Sequence, residues 1–531
     1  MDGTYDDKDQ SSAMMLGKRA ATVASSVFIG KSINFISLGL AFILIVRLLG
    51  PVSYGVYTLA IAVAGIFSLF FDFGVGTALI KFIPQYMDKG DIDKTETLLI
   101  NGYTIIAIVG VVFTLLAFLL SGFVAQSVLH DIADTTALQA ASFTIIASLM
   151  WNVSYQVLIA LGKSGRIAIA VAIQALVQAI VSLALVLMGF GALGPIIGLV
   201  ASYATATVFA LYVIIKHMGL KLSKLRLDVS KWGELLRFSM PICLSQVSPT
   251  LANNLSLAML GFYSTVVVVG NFGAAYKAMI LFDVPLGSIG LALLPLFAVT
   301  ISNKKITKKL SKYYNYILYY SFLLIAPMVF YIVLLAKPVS YTIFSATYTL
   351  TPLYLAIMAV GTFLSVISGT TSSLLIGAGE SKRVMKYSIA AAALQVILLP
   401  VLLPSFSGAG LAVIMFIIVP IVYCLFYVTR VQKLLKTNVD LLLLAKLLVA
   451  AVISALFIIP LLLVMGSSYI PLIIIAAIEQ IIVYPAIVSS LGFVSREKLE
   501  TLDRVANSIP VFGYLIRFLT NYTSLFVRAK Q

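Results

Sequence analysis

The sequence predicts an all-α membrane protein that crosses the bilayer about 14 times. The 531 residues are 61% hydrophobic and only 11% charged, and the mean hydropathy of +1.08 lies far outside the range of soluble globular proteins. The apolar residues form stretches of about 20 residues or more, which is the length that a helix needs to cross the hydrocarbon. The predicted spans are residues 21–46, 53–80, 97–125, 136–161, 166–190, 192–216, 237–261, 266–300, 312–336, 350–377, 384–404, 409–429, 441–466 and 469–492.

Positively charged residues are confined almost entirely to one side of this predicted topology. With a cytoplasmic N-terminus, only Arg47 and Lys337 of the 36 lysines and arginines fall in external loops, and only Lys31 and Lys277 fall inside spans. An excess of lysine and arginine in cytoplasmic loops is the general rule for multi-pass membrane proteins. We therefore expect a protein of the cell (plasma) membrane with both termini in the cytoplasm.

The net charge of +16 has the same explanation. Basic cytoplasmic loops face the anionic headgroups of the inner leaflet, so the charge does not predict nucleic-acid binding. The polar N-terminal segment is not followed by the short apolar core and cleavage site of a signal peptide, and it is expected to be a cytoplasmic tail.

A weak internal repeat relates the first six spans to the next six. Because six is an even number, the two copies have the same orientation in the membrane and are related by a pseudo-two-fold axis along its normal. At an offset of 217 residues, the matched positions are Gly162, Ser164, Arg166, Gln178, Gly191 and Ala192, with Gly379, Ser381, Arg383, Gln395, Gly408 and Ala409. An offset two residues shorter aligns Gly55 with Gly270.

The repeat and the charge pattern predict the domain organisation. Two basic amphipathic segments are expected to lie on the cytoplasmic surface as helices. The predicted parts are a cytoplasmic tail (1–20), a first six-helix lobe (21–217), an amphipathic linker (218–236), a second six-helix lobe (237–432), two further spans (433–492) and an amphipathic tail (493–531).

A signature follows the first span. Residues 47–57 read RLLGPVSYGVY, FDFG follows at 71–74, and KGD occupies 89–91. This resembles the polysaccharide-biosynthesis (Wzx-type) flippase family, part of the MOP superfamily with the lipid II flippases and MATE multidrug exporters. The resemblance implies two six-helix lobes in a V shape, alternating access, and a lipid-pyrophosphate-linked oligosaccharide as substrate. The matching positions are Arg47, Leu49, Gly50, Pro51, Tyr54 and Gly55.

Two lysines within spans are the strongest candidates for substrate binding. Lys31 and Lys277 are predicted near the bilayer midplane, one in each lobe, where an uncompensated charge is costly and a functional role is the default interpretation. An ammonium group at this depth could bind the pyrophosphate of the substrate. The alternative is that each lysine neutralises a buried acid; for Lys277, Asp283 is six residues further on.

Polar residues near these lysines are predicted to line the same cavity. Asn34 accompanies Lys31 on span 1, Gln246 and Asn253 lie on the equivalent span 7, and Arg47 is included in the predicted cavity set. Such residues can instead form interhelical hydrogen bonds. That alternative is favoured for a similar polar stripe on span 5, formed by Gln174, Gln178 and Ser182.

Three acidic residues also fall within spans. Asp72 and Asp283 are candidates for coupling transport to H⁺ or Na⁺, although Asp72 could simply pair with a cytoplasmic lysine. Glu479 lies in span 14, outside the repeat, and the sequence assigns it no role.

The sequence predicts a monomeric transporter without catalytic residues, metal or cofactor. Cys243 and Cys424 lie in apolar spans and are expected to be inert, while His130 and His217 are on opposite sides of the membrane and cannot form one site. A MATE-like exporter of organic cations is the main alternative, since its site would use acids such as Asp72 and Asp283. A membrane enzyme is disfavoured because it needs a sizeable loop carrying acid–base groups.

Overall fold

A computed structural model describes residue 39 and residues 41–68, 74–218, 232–279, 307–435, 440–466, 469–494 and 520–524. Within these ranges the regular secondary structure is entirely helical, which agrees with the predicted class. The chain divides into two compact units between Gly270 and Asn271. The predicted lobe boundaries at 217 and 237 stay predictions.

The first unit contains seven helices and the start of an eighth among its described residues. Helix α6 packs against α4 and α5, and α3 packs against α4. Helix α7 begins within the predicted linker, and the Trp232 indole N–H donates to Oδ1 of buried Asn101 at 3.2 Å. The helices are α1 (Ala41–Ser68), α2 (Val75–Asp88), α3 (Ile92–Val124), α4 (Thr135–Ala160), α5 (Ser164–Leu187), α6 (Leu193–Met218), α7 (Trp232–Tyr263) and α8 (Val266–Met279).

Helix α1 contains a break between the first two predicted spans. Gly50 has a φ of +69°, a left-handed conformation, and Pro51 follows it. A left-handed glycine ends a helix, and proline is favoured in the first turn of the next one. The segment therefore consists of two helical parts, 41–49 and 51–68.

The prediction of one unbroken span over 53–80 is wrong. Helix α2 starts after Gly74, whose φ of +68° interrupts the helical path, and it continues to Asp88. Only glycine adopts this conformation without a steric cost. Hydropathy detects the apolar composition on both sides of Gly74 but carries no information about the backbone conformation.

The second unit begins within α8 and contains the remaining helices. Helix α11 packs against α9, α12 and α13, while α16 packs against α9, α10, α14 and α15. The helices are α9 (Thr307–Leu334), α10 (Ala336–Ile343), α11 (Thr351–Gly377), α12 (Ser381–Val413), α13 (Val419–Leu435), α14 (Leu441–Leu456), α15 (Ile458–Met465) and α16 (Tyr469–Ser490).

Helix α12 contains a break at the place where the sequence separates two spans. Spans 384–404 and 409–429 were expected as separate helices, and the helical path of α12 is interrupted between them at Ser407, where φ is +46° and ψ is −128°. A π-helical turn, Ile414–Ile418, then joins α12 to α13. Such turns insert one residue into a helix and often occur at functional sites.

Ten helical stretches among the described residues are long and apolar enough to cross a membrane. Two of them, Ala41–Ser68 and Ser381–Leu434, contain the breaks at Gly50 and Ser407. The chain is therefore a multi-pass membrane protein by length and composition. The predicted number of about 14 spans stays a prediction.

The repeat is visible in the conformation of two matched turns. After α4 and after α11, the matched residues Gly162 and Gly379 have φ values of +66° and +79°. The following N–H groups, of Lys163 and Glu380, each donate to a carbonyl five residues earlier, at 3.2 and 2.9 Å. Both turns are thus the same glycine-terminated helix cap, and the next helix begins at the matched serine in each copy.

The two matched turns differ in charge. In the second copy, the Glu380 carboxylate accepts hydrogen bonds from Arg430 (Nε at 2.6 Å, and Nη2) and from Arg383 (Nη1, 2.7 Å). In the second copy, the arginine–glutamate cluster therefore joins α12 to α13. The first copy has Lys163 in place of this glutamate.

Buried Asn271 supports the start of α11 from a different helix. Its Oδ1 accepts hydrogen bonds from the backbone N–H groups of Leu350 and Thr351, at 3.0 and 3.1 Å, and from the Thr351 hydroxyl at 3.0 Å. The first N–H groups of a helix have no intrahelical partner, and no side chain of the N-cap residue Leu350 satisfies them. Asn271 supplies this cap.

We expect Asn271→Ala to lower the free energy of unfolding by about 1–3 kcal/mol, because two buried N–H groups lose their acceptor. The measurement is the thermal or denaturant unfolding of the purified protein. Asn271→Asp keeps an acceptor at the same position and is the matched control, with a smaller expected loss. Equal losses for the two variants would contradict the capping role.

Candidate substrate-binding site

The structure describes three of the predicted site residues with their side chains. These are Arg47 in α1, Asn253 in α7 and Lys277 in α8. Gln246 belongs to α7, but its side chain lies outside the described part. Lys31, Asn34, Asp72 and Asp283 lie outside the described residues, so their roles stay predictions.

Lys277 lies on α8, about 16 Å along the helix axis from Val266. An aromatic cluster in the second unit fixes this helix beside the lysine. The ring of buried Phe272 stacks on that of Tyr276, with centroids 6.2 Å apart, and lies 5.9 Å from that of Tyr354. Tyr276 also meets Phe416 edge to face at 6.1 Å. Lys277 directly follows this packed tyrosine in the sequence.

The Lys277 side chain has an accessible surface although many protein atoms surround it. Among the described residues, no carboxylate lies within ion-pair distance of its ammonium group. The proposed alternative partner, Asp283, is outside the described residues. A lysine inside a membrane faces the bundle interior or a water-filled cavity, because facing lipid is costly.

The π-helical turn Ile414–Ile418 contributes Phe416 to the surroundings of α8, and the sequence analysis did not anticipate it. Its backbone lies very close to α11. A Cβ added to Gly361 would overlap the Phe416 carbonyl oxygen, so the close approach requires glycine. The turn is a consequence of packing and has no sequence pattern that would reveal it.

Polar residues of α7 divide between two environments. Asn254 faces α1, since a Cβ on Gly65 would overlap its side chain. Asn253, one residue earlier and thus about 100° around the helix, is half-buried, and Thr250 is exposed. Asn253 thus points away from the α1 contact, and both it and Thr250 make further interactions.

The span 5 stripe belongs partly to helix packing. Ser182 is buried, and a Cβ on Gly198 of α6 would overlap its hydroxyl oxygen. The hydroxyl has no hydrogen-bond partner in the described part of the chain. Ser182 therefore serves close packing of α5 on α6 and not an interhelical hydrogen bond. Gln174 and Gln178 are half-buried.

Helices α1 and α8 cross in direct backbone contact within the first unit. A Cβ on Gly55 would overlap the carbonyl oxygen of Val266, and a Cβ on Gly270 would overlap the carbonyl oxygen of Pro51. The repeat aligns Gly55 with Gly270, and the same offset aligns Pro51 with Val266. The contact is therefore reciprocal between positions that the predicted repeat matches.

A cavity of about 440 Å³ opens beside this crossing in the first unit. Its polar lining comprises Ser53, Asp131, Asp134 and Thr136, and Phe190 contributes an aromatic ring. The Asp131 carboxylate accepts the Ala133 N–H at 2.9 Å and so caps a short 3₁₀ turn. The predicted topology places the cavity at the external end, and no sequence pattern had indicated it.

No metal-binding group of three or more histidine, cysteine or acidic side chains occurs in the described part of the chain. Cys424 is a free thiol whose sulfur lies 3.3 Å from the Leu364 carbonyl, and Cys243 has no described side chain. His130 and His217 are both exposed.

The helical architecture is similar to those of several solved membrane transporters. It is similar to the lipid II flippase MurJ in an inward closed conformation, with a TM-score of 0.71, 18% sequence identity, and coverage of 89% of this chain and 98% of that one. It also resembles an inward-facing MATE multidrug transporter (TM-score 0.65, 19% identity, 77% and 99% coverage). A MOP-superfamily transporter from Pyrococcus furiosus, described as having a binding pocket of reversed polarity, has a TM-score of 0.54, 20% identity, and 79% and 97% coverage.

The sequence itself gives the family. The profile of the polysaccharide biosynthesis protein family matches residues 20–301, and the chain belongs to this family. No curated protein sequence matches it significantly. The match includes the signature at 47–57 and Lys277.

Proposed function

We propose that this protein is a flippase that moves a lipid-(pyro)phosphate-linked oligosaccharide from the cytoplasmic to the external leaflet, for the synthesis of a surface polysaccharide or glycoprotein. The observation that carries the proposal is Lys277, an accessible lysine at the predicted depth of the membrane, which has no ion-pair partner among the described residues. Membership of the polysaccharide biosynthesis family supports the substrate class.

The charge of Lys277 fits an anionic headgroup. A compact ammonium on a flexible stem is a general phosphate ligand, and its charge-assisted hydrogen bonds are stronger in a site of low dielectric constant. The rigid aromatic packing of Phe272 and Tyr276 holds the helix that presents it. Lys31, Asn34, Arg47, Gln246 and Asn253 complete the proposed cavity.

The crossing of α1 and α8 supports alternating access. Backbone contact at Gly55 and Gly270 leaves no space for a headgroup between these helices at the predicted external end. Release of substrate to the external leaflet requires them to separate there. Small residues allow such a contact to form and break, because no side chains interlock across it.

The remaining features of the proposal concern partners and energy. We propose a monomer of the cell membrane with cytoplasmic termini, which uses H⁺ or Na⁺ as a coupling ion bound near Asp72 or Asp283. Catalysis and a cofactor are not part of the mechanism. The external loops are short, so the sugar is translocated without chemical change.

The test is transport by the purified protein in lipid vesicles. A fluorescent lipid-pyrophosphate oligosaccharide in the outer leaflet is expected to become protected from an impermeant quenching reagent only when the protein is present. The matched probe is the same lipid without the pyrophosphate, which should move much more slowly. Transport of an organic cation dye with no movement of the lipid-linked sugar would establish the MATE-like alternative instead.

A further inference from the structure

Glu479 is an acidic residue in the interior of α16, outside the repeated helices and beyond the matched family region. It lies ten residues after Tyr469, so about 15 Å of helix separates it from the start of α16. This places the carboxyl group near the middle of a helix that is long enough to cross the membrane.

One carboxyl oxygen of Glu479 is held in a short polar chain between helices. The Ser454 hydroxyl of α14 donates to Oε1 of Gln480 at 2.7 Å, which leaves the Gln480 amide N–H₂ free to donate elsewhere. That group donates to Oε2 of Glu479 at 3.1 Å. These two hydrogen bonds therefore fix the orientation of the Glu479 carboxyl group relative to α14.

The other oxygen, Oε1, is enclosed by the protein and has no hydrogen-bond donor within the described part of the chain. If Glu479 were ionised, its full negative charge would receive a single hydrogen bond from a neutral donor, the Gln480 amide. An ionised group buried without a counter-charge is costly, and the group avoids this cost by becoming neutral.

The lysines whose side chains the structure describes on the helices that contact α16 lie elsewhere. Lys446 of α14 places its ammonium 5.8 Å from the centre of the Phe493 ring, beyond the end of α16, and Lys337 of α10 lies 5.7 Å from the Tyr341 ring. Helix α15 contains no titratable residue.

The tyrosine hydroxyls near α16 are likewise directed away from Glu479. Tyr331 of α9 donates to the Ile473 carbonyl at 2.8 Å, and Tyr319 donates to the Phe493 carbonyl at 3.0 Å. Tyr484 lies five residues after Glu479, about 140° around the helix, and its hydroxyl has no partner in the described part of the chain.

We propose that Glu479 is a proton-binding site within the membrane, separate from the proposed substrate cavity. The neutral acid carries its proton on Oε1, while Oε2 accepts the Gln480 hydrogen bond. Release of the proton to water leaves a carboxylate, which is stable only where water or a cation reaches it. Protonation is therefore linked to the packing of α16 on α14.

Infrared difference spectroscopy of the full-length protein in lipid bilayers tests this inference. At neutral pH, the spectrum of the native protein minus that of Glu479→Gln should contain the carbonyl band of a protonated carboxylic acid. Gln480→Leu removes the hydrogen bond to Oε2 and should shift this band to higher frequency, which provides a second readout. Glu380→Gln, which removes an ion-paired carboxylate, should leave the band in place.

Two results would overturn the proposal. One is a difference spectrum that contains only carboxylate bands at neutral pH. The other is loss of the acid band on addition of sodium or potassium chloride, which would make Glu479 a metal-cation site. The measurement needs no substrate, so its outcome is independent of the proposed flippase function.

Discussion

Replacement of both Lys31 and Lys277 by alanine is expected to abolish export of the lipid-linked oligosaccharide. In cells, the surface glycan should disappear and the lipid-linked intermediate should accumulate at the inner leaflet. Each single substitution removes one charge-assisted hydrogen bond to the headgroup. Such a bond contributes about 1.5–3 kcal/mol, so each single variant should transport about tenfold more slowly or worse.

The controls separate charge from size and from position. Lys277→Arg keeps the cation and should retain part of the activity, whereas Lys277→Met keeps the length of the side chain without the charge and should not. Lys337→Ala removes an exposed lysine of α10 and should leave export unchanged. Normal surface glycan in the double alanine variant would eliminate the cationic site from the mechanism.

Alanine at Gly55 or Gly270 is expected to force α1 and α8 apart. The added methyl group would overlap a backbone carbonyl in each case, and a carbonyl cannot move aside as a flexible side chain can. Overpacking of this kind costs about 1–3 kcal/mol, so the unfolding midpoint of each purified variant should fall. Export should fall as well, because the proposed external closure is weakened.

The reciprocal contact predicts a specific double-mutant result. Once one alanine has separated the helices, the second meets less resistance, so the combined loss of stability should be smaller than the sum of the two single losses. Gly122→Ala in α3 and Gly369→Ala in α11 are matched controls, because an added Cβ meets no atom there. They should be neutral or slightly stabilising. Additive losses at Gly55 and Gly270 would show that the two glycines do not share one contact.

The sequence predicted the class of fold because membrane insertion depends on composition and length, which are local properties. Apolar stretches such as 97–125 and 350–377 correspond closely to α3 and α11. The break at Gly74 was not predictable in this way, since it is a backbone conformation within an apolar segment, whereas the break at Ser407 falls between two predicted spans. Gly74 has a φ of +68°, whereas Gly122 continues helix α3.

The sequence points to Lys277 as a candidate site residue but does not predict its surroundings. Lys277 was identified because a lysine within an apolar span is rare. Its exposure, the aromatic cluster around Tyr276 and the π-helical turn at Phe416 depend on residues distant in sequence. Ser182 illustrates the same limit, because only the position of Gly198 shows that it packs between helices.

The sequence by itself determined a multi-pass helical membrane protein and a family, since hydropathy, charge distribution and a short signature depend on residues close together in the chain. Only the tertiary structure decided which of the repeated glycines touch. It also decided which acid is isolated, because Glu479 Oε1 lacks a donor as a result of how α14 and α16 meet. The physical reason is that hydrogen bonds and steric contacts act over a few ångströms, between residues that the fold brings together from distant parts of the chain.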